Sequence, residues 1–191
     1  MKPRVGLVWD QPLVFGRFLE DCGVTSIPVT PHLLAAPFFR GQYSVLIIPT
    51  GFANPAYSQV LPALKASEGR IRRFVENGGT LVVYGAADPL PDRYGWLPFN
   101  VVYEYGPGNS HIEIQPGHHL SSIISDYDPD HIEYDGFFSS FEGDTVGTID
   151  GKTVLIEKTL GKGVIVVTSI HEYPSRSFVM SVCMKAGETF F

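Results

Sequence analysis

Short apolar runs alternate with amphipathic segments through the first half of the chain, and this order restricts the possible folds more than any other feature. The longer runs are apolar at almost every position, which is typical of strands buried on both faces of a sheet. The predicted strands lie at 4–9, 24–29, 43–49 and 80–84, and the predicted helical segments lie at 13–22, 30–36 and 56–77. Parallel strands joined by right-handed crossovers require this alternation, so the sequence predicts an α/β fold with a doubly wound, mainly parallel sheet.

The second half of the chain has an antiparallel pattern. Two strand-like runs, at 100–105 and 111–115, lie in a segment rich in Pro, Gly and aromatic residues, and they predict an inserted hairpin or flap at 89–117. Three later runs separated by glycine turns predict an antiparallel meander, and a helix at 175–186 follows. The chain has 191 residues and no internal repeat, so we predict a single domain over 1–191.

Charge and hydropathy argue against several classes of partner. The formal net charge is −6, and the Lys and Arg residues are scattered apart from Arg70, Arg72 and Arg73, so neither nucleic acid nor an anionic membrane surface is an expected partner. We find neither a signal segment nor a run of roughly 18 apolar residues, and a cytoplasmic location is expected. Cys22 and Cys183 lie in predicted helices, far apart in sequence, and are expected to be free buried thiols.

Candidate site residues follow the predicted strands, because ligands of doubly wound sheets bind beyond the carboxyl ends of the strands. We therefore predict a ligand site at one edge of the sheet. Its candidate ligand-binding residues are Asp10, Gly51, Phe52, Gly85, Ala86, Asp88 and Tyr173, and its candidate catalytic residues are His171 and Glu172.

Three motifs in this order give the chain a recognisable pattern: "IIPTGF", "RRFVENGGTLVVYG" and "GKGVIVVTSIHEYP". The pattern resembles the class I glutamine amidotransferase-like superfamily, including its ThuA-like members and the N-terminal domains found beside biotin-protein ligases. The resemblance runs from Arg4 to Met184, with 89–133 poorly matched. It implies a flavodoxin-like three-layer sandwich, to which the antiparallel β meander is added.

The resemblance also implies a degenerate active site. The nucleophilic Cys of the family's glutaminases falls on Gly85, or on Ala86 with a slip of one residue, and neither can attack a carbonyl. The family's His matches His171, but its Glu falls on Tyr173, while Glu172 points to the other face of an extended segment. The backbone N–H of Gly51 matches the family's oxyanion donor. Glutaminase activity is therefore not expected.

The sequence is compatible with three kinds of function. One is a noncatalytic or catalytically altered module, a pseudoenzyme that binds a small molecule or supports assembly. Another is a hydrolase or isomerase in which His171 and a carboxylate such as Glu172, Asp10 or Asp88 act as general acid and base. The ThuA-like resemblance implies a carbohydrate-related ligand for such an enzyme. A third is a homodimer formed through aromatic residues that include Tyr94, Trp96, Tyr134, Phe137, Phe138, Phe141 and Tyr173.

No metal and no cofactor is predicted. His118 and His119 are adjacent, and neighbouring side chains diverge on a strand and on a helix. His111 and Glu113 do not complete a ligand set with them at a recognised spacing.

Overall fold

A computed structural model describes residues 2–191. The strands are β1 (Arg4–Val8), β2 (Thr25–Val29), β3 (Gln42–Tyr43), β4 (Val45–Ile48), β5 (Thr80–Val83), β6 (Val101–Ser110), β7 (Ile112–Ile114), β8 (Ile132–Phe141), β9 (Asp144–Ile149), β10 (Lys152–Leu160), β11 (Gly163–Thr168) and β12 (Thr189–Phe190). The helices are α1 (Val14–Asp21), α2 (Pro31–Ala35), α3 (Val60–Ala66), α4 (Glu68–Glu76) and α5 (Arg176–Lys185), with a 3₁₀ helix at Ser121–Ile124. None of the helices in the described residues is long and apolar enough to cross a membrane.

One ten-stranded sheet forms the centre of the molecule, in the order β2-β1-β4-β5-β11-β10-β8-β6 with β7 and β9 attached beside β10. The five strands from β2 to β11 are mutually parallel. The remaining pairs are antiparallel. The predicted flavodoxin-like α/β fold is confirmed, with a mostly parallel sheet extended by antiparallel strands. The meander of β9, β10 and β11 is confirmed as well.

The parallel strands are apolar throughout because each one contributes side chains to two cores. Along β4, Leu46 and Ile48 face the core beneath α3 and α4, while Val45 and Ile47 face the core beneath α1 and α5. This alternation follows from the two-residue period of a strand. Such a sheet can be covered by helices on both faces, which is the three-layer arrangement.

The helical region predicted at 56–77 begins at Val60 and divides at Ser67 into α3 and α4. Pro62 lies in the first turn of α3, where its missing N–H removes no helical hydrogen bond. Ser67 is buried and donates its hydroxyl to the carbonyl of Leu34, 2.7 Å away, which ties the junction of α3 and α4 to α2.

The alternative of an inserted hairpin within 89–117 is wrong, because β6 pairs with β8 and β7 pairs with β9, and the two strands do not pair with each other. The alternative of an inserted flap stays a prediction. The residues before β6 also belong to the core. Tyr94 and Trp96 are each 1% exposed, and their rings contact Phe52 at centroid distances of 5.5 and 5.9 Å. The segment therefore packs as part of the main fold.

Candidate functional site

A cavity of about 420 Å³ opens at the carboxyl ends of β1, β4, β5 and β11. Its position agrees with the rule that ligands of doubly wound sheets bind beyond these strand ends. Aromatic side chains form much of its wall, namely Trp9, Phe15, Tyr57, Tyr84 and Tyr173. The rings of Phe15 and Tyr173 stack with centroids 4.5 Å apart and planes 9° apart. Tyr57 and Tyr173 are 68% and 40% exposed, so their rings remain accessible at the opening.

His171 lies in this wall and is paired with Asp135 of β8. Its Nδ1 is 3.2 Å from Asp135 Oδ1 and 3.4 Å from Oδ2. The carboxylate is buried, whereas the His171 side chain is 53% exposed. The hydrogen bond to Asp135 raises the pKa of His171 above its usual value, although partial burial of the ring opposes the shift. Since Nδ1 faces Asp135, Nε2 is the ring nitrogen left for a ligand.

Main-chain pairing holds Asp135 in this position. Its N–H donates to the carbonyl of Ser169 at 2.9 Å, and Tyr134 forms an isolated antiparallel bridge with Ile170. The end of β11 and the middle of β8 are therefore adjacent, although they are more than thirty residues apart in sequence. Asp135 was not among the residues predicted from sequence, because its place beside His171 depends on this long-range pairing.

Asp135 also fills the space beside Gly85, the position at which the sequence resemblance would place a nucleophile. A Cβ built on Gly85 would lie 2.6 Å from Asp135 Oδ2 and 3.1 Å from its Cβ. A side chain at position 85 would therefore displace the carboxylate. The site carries an imidazole–carboxylate pair where the resemblance would place a thiol.

The predicted oxyanion donor is already engaged. Gly51 N–H donates to the carbonyl of Gly85 at 2.8 Å, so the expectation that it awaits a ligand oxygen is wrong for this structure. The glycine itself is required because its φ is +83°. The adjacent Thr50 hydroxyl oxygen is buried and has no hydrogen-bond partner within residues 2–191. Thr50 lines the cavity and offers a polar group that a ligand can satisfy.

The other predicted carboxylates have structural partners and do not line the cavity. Asp10 accepts from the Ser58 hydroxyl at 2.6 Å and from the Gln59 N–H at 3.0 Å, at the start of α3. Asp88 forms an ion pair with Arg93 at 2.7 Å. Glu172 accepts from the backbone N–H of Glu133 at 2.8 Å. None of these carboxylates pairs with His171; Asp135 does.

The remaining predicted residues divide between cavity and core. Gly51 and Tyr173 line the cavity, and Gly85 adjoins it through Asp135. Phe52 and Ala86 are each 0% exposed and belong to the core beneath α3 and α4. The predicted aromatic dimer surface is wrong for Tyr94, Trp96 and Phe138, which are buried. The homodimer itself stays a prediction.

The two adjacent histidines do not diverge as expected. The rings of His118 and His119 stack with centroids 4.6 Å apart and planes 27° apart, because both residues lie in the turn that precedes the 3₁₀ helix. Glu157 of β10 lies against both rings. The prediction that the two side chains diverge is therefore wrong. An acidic partner nearly forty residues away could not be identified from local spacing.

No family model and no curated protein sequence matches the chain. Solved structures do. A cytoplasmic protein from Salmonella typhimurium has a TM-score of 0.58 and 15% identity, over 98% of this chain and 100% of that chain. A ThuA-like protein from Bacteroides uniformis has a TM-score of 0.52 and 10% identity, over 96% and 89%.

A β-galactosidase from Rahnella sp. R3 is also similar, with a TM-score of 0.58 and 14% identity over 97% of this chain and 31% of that enzyme. This chain thus corresponds to about a third of the larger enzyme. At these identities the likeness shows the fold alone. The fold shared with a ThuA-like protein agrees with the flavodoxin-like fold that the sequence resemblance implies.

Proposed function

We propose that this chain binds a small polar ligand in the cavity at the strand ends and that His171, paired with Asp135, exchanges a proton or a hydrogen bond with that ligand. One observation carries the proposal: a buried carboxylate holds an accessible imidazole in the wall of a cavity. A cavity with an apolar lining and a few placed polar groups is the usual form of a small-molecule site. Under this proposal the chain is an amidotransferase-like domain without glutaminase activity.

The lining supports a carbohydrate-like ligand. The C–H face of a sugar ring packs on aromatic rings such as Tyr57 and Tyr173, while its hydroxyl groups need hydrogen-bond partners such as Thr50 Oγ1 and His171 Nε2. A volume of about 420 Å³ accommodates one or two sugar rings. A β-galactosidase, which acts on a carbohydrate, is among the similar structures and is consistent with this class.

A second candidate is general acid–base catalysis on the same ligand, as a hydrolase or an isomerase. The raised pKa of His171 favours it, because the hydrogen bond to Asp135 stabilises the protonated ring that a general acid needs. Asp135 would orient the ring and stabilise its charged form, as a carboxylate does in other imidazole–carboxylate pairs. Turnover that follows the titration of His171 would distinguish this function from binding alone.

Binding of neutral sugars and sugar phosphates, measured by calorimetry and by ligand-observed NMR, tests the proposal. We expect at least one saturable ligand, weakened about tenfold or more by Tyr173→Ala and by His171→Ala, where tenfold corresponds to about 1.4 kcal/mol. Tyr105→Ala is the matched control, because Tyr105 is a comparably exposed aromatic residue on β6 outside the cavity lining. Circular dichroism establishes that each variant is folded.

Two results would reject the proposal. If the panel contains no saturable ligand, the carbohydrate class is wrong. If the purified protein releases glutamate from glutamine and loses this activity in His171→Ala, the site is a working glutaminase.

A further inference from the structure

We propose that His118, His119 and Glu157 form a binding site for a divalent metal ion of the zinc class. The site lies where the turn before the 3₁₀ helix meets β10, and it shares no residue with the cavity that contains His171. Each residue offers one ligand atom, and the three atoms lie within 4.8 Å of one another. The inference is independent of the proposed carbohydrate function.

The distances within this cluster approach those of a metal-ligand set. His118 Nε2 is 3.2 Å from Glu157 Oε2, and His119 Nε2 is 2.8 Å from Oε1. Two ligands of a tetrahedral zinc ion, each about 2.0–2.1 Å from the metal, lie about 3.3 Å apart. The two nitrogen–oxygen distances must therefore lengthen by a few tenths of an ångström when the ion binds. One of the stacked rings must also turn toward the ion.

The carboxylate of Glu157 has a buried oxygen without a hydrogen bond, and this points to a ligand. Its side chain is 10% exposed, and Oε1 has no hydrogen-bond partner in the described part of the chain. His119 Nε2 lies 2.8 Å from Oε1, but the pair does not have the geometry of a hydrogen bond. A buried carboxylate oxygen without a hydrogen bond is costly. A cation bound between the carboxylate and the two rings would remove this cost.

The surrounding charges favour a cation as well. Asp144 of β9 is the register partner of Glu157, so a second carboxylate group lies on the neighbouring strand. Opposed residues of an antiparallel pair share one face of the sheet. Two imidazoles with one carboxylate form a donor set that suits zinc and related transition ions, and the partial exposure of His119 leaves room for water at a fourth position.

Metal binding would change one hydrogen bond in a measurable way. The backbone N–H of Leu120 donates to His118 Nδ1 at 3.2 Å, so the neutral ring carries its proton on Nε2. Coordination through Nε2 requires that this proton leave and that Nδ1 become the protonated nitrogen. Leu120 N–H then loses its acceptor, and the turn at 118–120 must shift.

The test uses the full chain without a histidine tag, with Zn²⁺ in calorimetry and Co²⁺ as a spectroscopic probe. We expect one ion per chain, visible absorption of Co²⁺ with nitrogen ligands, and a change in the Leu120 amide resonance on addition of Zn²⁺. His119→Ala and Glu157→Gln should each weaken binding by more than the roughly 10- to 100-fold that loss of an outer-shell partner costs. His119 is partly exposed and Glu157→Gln preserves shape, so both variants should fold.

His111→Ala is the matched control. His111 pairs with Asp130 at the surface, 2.6 Å away, and is not part of the cluster. The His111→Ala variant should bind one ion as tightly as the unmodified chain. The proposal is overturned if no saturable binding occurs, or if binding persists unchanged in His119→Ala and Glu157→Gln. Sugar binding in the cavity should be unaffected by these variants, so the two proposals fail separately.

Discussion

Asp135 contacts three other residues through its main chain and its side chain. Its main chain bonds to Ser169, its carbonyl accepts from the Tyr103 hydroxyl at 2.9 Å, and its carboxylate faces His171. Because the backbone on both sides is held, the carboxylate cannot move far from the imidazole. Burial and the neighbouring Asp135 charge also raise the pKa of Tyr103, which keeps its hydroxyl a donor.

Asp135→Asn should lower the pKa of His171, because the hydrogen bond to the carboxylate is the largest cause of its raised pKa. An NMR titration of the ring resonances measures this change. A folded-state pKa raised above about 6.5 stabilises the fold fully below pH 6.5, and this contribution is lost as the pH rises through the folded-state pKa. The unmodified chain should therefore have a higher free energy of unfolding than Asp135→Asn at low pH. The part of this difference that comes from His171 should disappear at high pH.

Asp130→Asn is the control for that titration, since Asp130 contacts His111 instead. It should leave the His171 titration unchanged. An unchanged His171 pKa in Asp135→Asn would show that the pair does not form in solution.

At the scale of elements, the strands with uninterrupted apolar sequence were predictable and the pairing of the second half was not. The runs that became β1, β4, β5 and β11 are buried on both faces, so their composition alone identifies them. β8 carries Asp135 within "EYDGFFSSF", whose aromatic residues indicate packing but not which strand lies beside it. Its neighbours are set by long-range register, and the partner of His171 therefore could not be found from sequence.

Gly163, the first residue of β11, lies in close contact with the backbone of two other elements. A Cβ at Gly163 would collide with the backbone carbonyls of Val75 and Gly79, at the end of α4 and the start of β5. Backbone atoms cannot move aside, so Gly163→Ala should lower the free energy of unfolding by about 1–3 kcal/mol or more. Chemical denaturation monitored by circular dichroism measures the loss.

Gly187→Ala provides the comparison, because the nearest atom to its added Cβ is 3.6 Å away, an ordinary contact distance. It should change the stability little. Equal stabilities for the two variants would show that the β10–β11 turn does not pack against α4 as described.

On the scale of the whole molecule, a single sheet separates two cores and both halves of the sequence contribute to each. The core beneath α3 and α4 contains Leu46 and Phe74 from the first half, and Trp96, Phe138 and Ile156 from later segments. Neither half could bury its apolar surface without the other. The single domain predicted over 1–191 remains a prediction that this arrangement supports.

Unfolding should accordingly occur in one cooperative transition. Far-UV circular dichroism follows the sheet and helices, while tryptophan fluorescence is sensitive to Trp96, which is buried within the segment 89–117. The two signals should give the same midpoint in denaturant. A fluorescence change that precedes the loss of secondary structure would instead identify 89–117 as a separately unfolding unit.

The contact between Asp135 and Gly85 has a consequence for any attempt to place a thiol in this cavity. A cysteine introduced at position 85 by a single codon change would meet the Asp135 carboxylate before it reached any substrate, since even its Cβ would lie 2.6 Å from Oδ2. Room for the thiol requires a second change at 135, and that change removes the partner of His171. A cysteine at position 85 could therefore act only in a variant whose imidazole has lost its carboxylate partner.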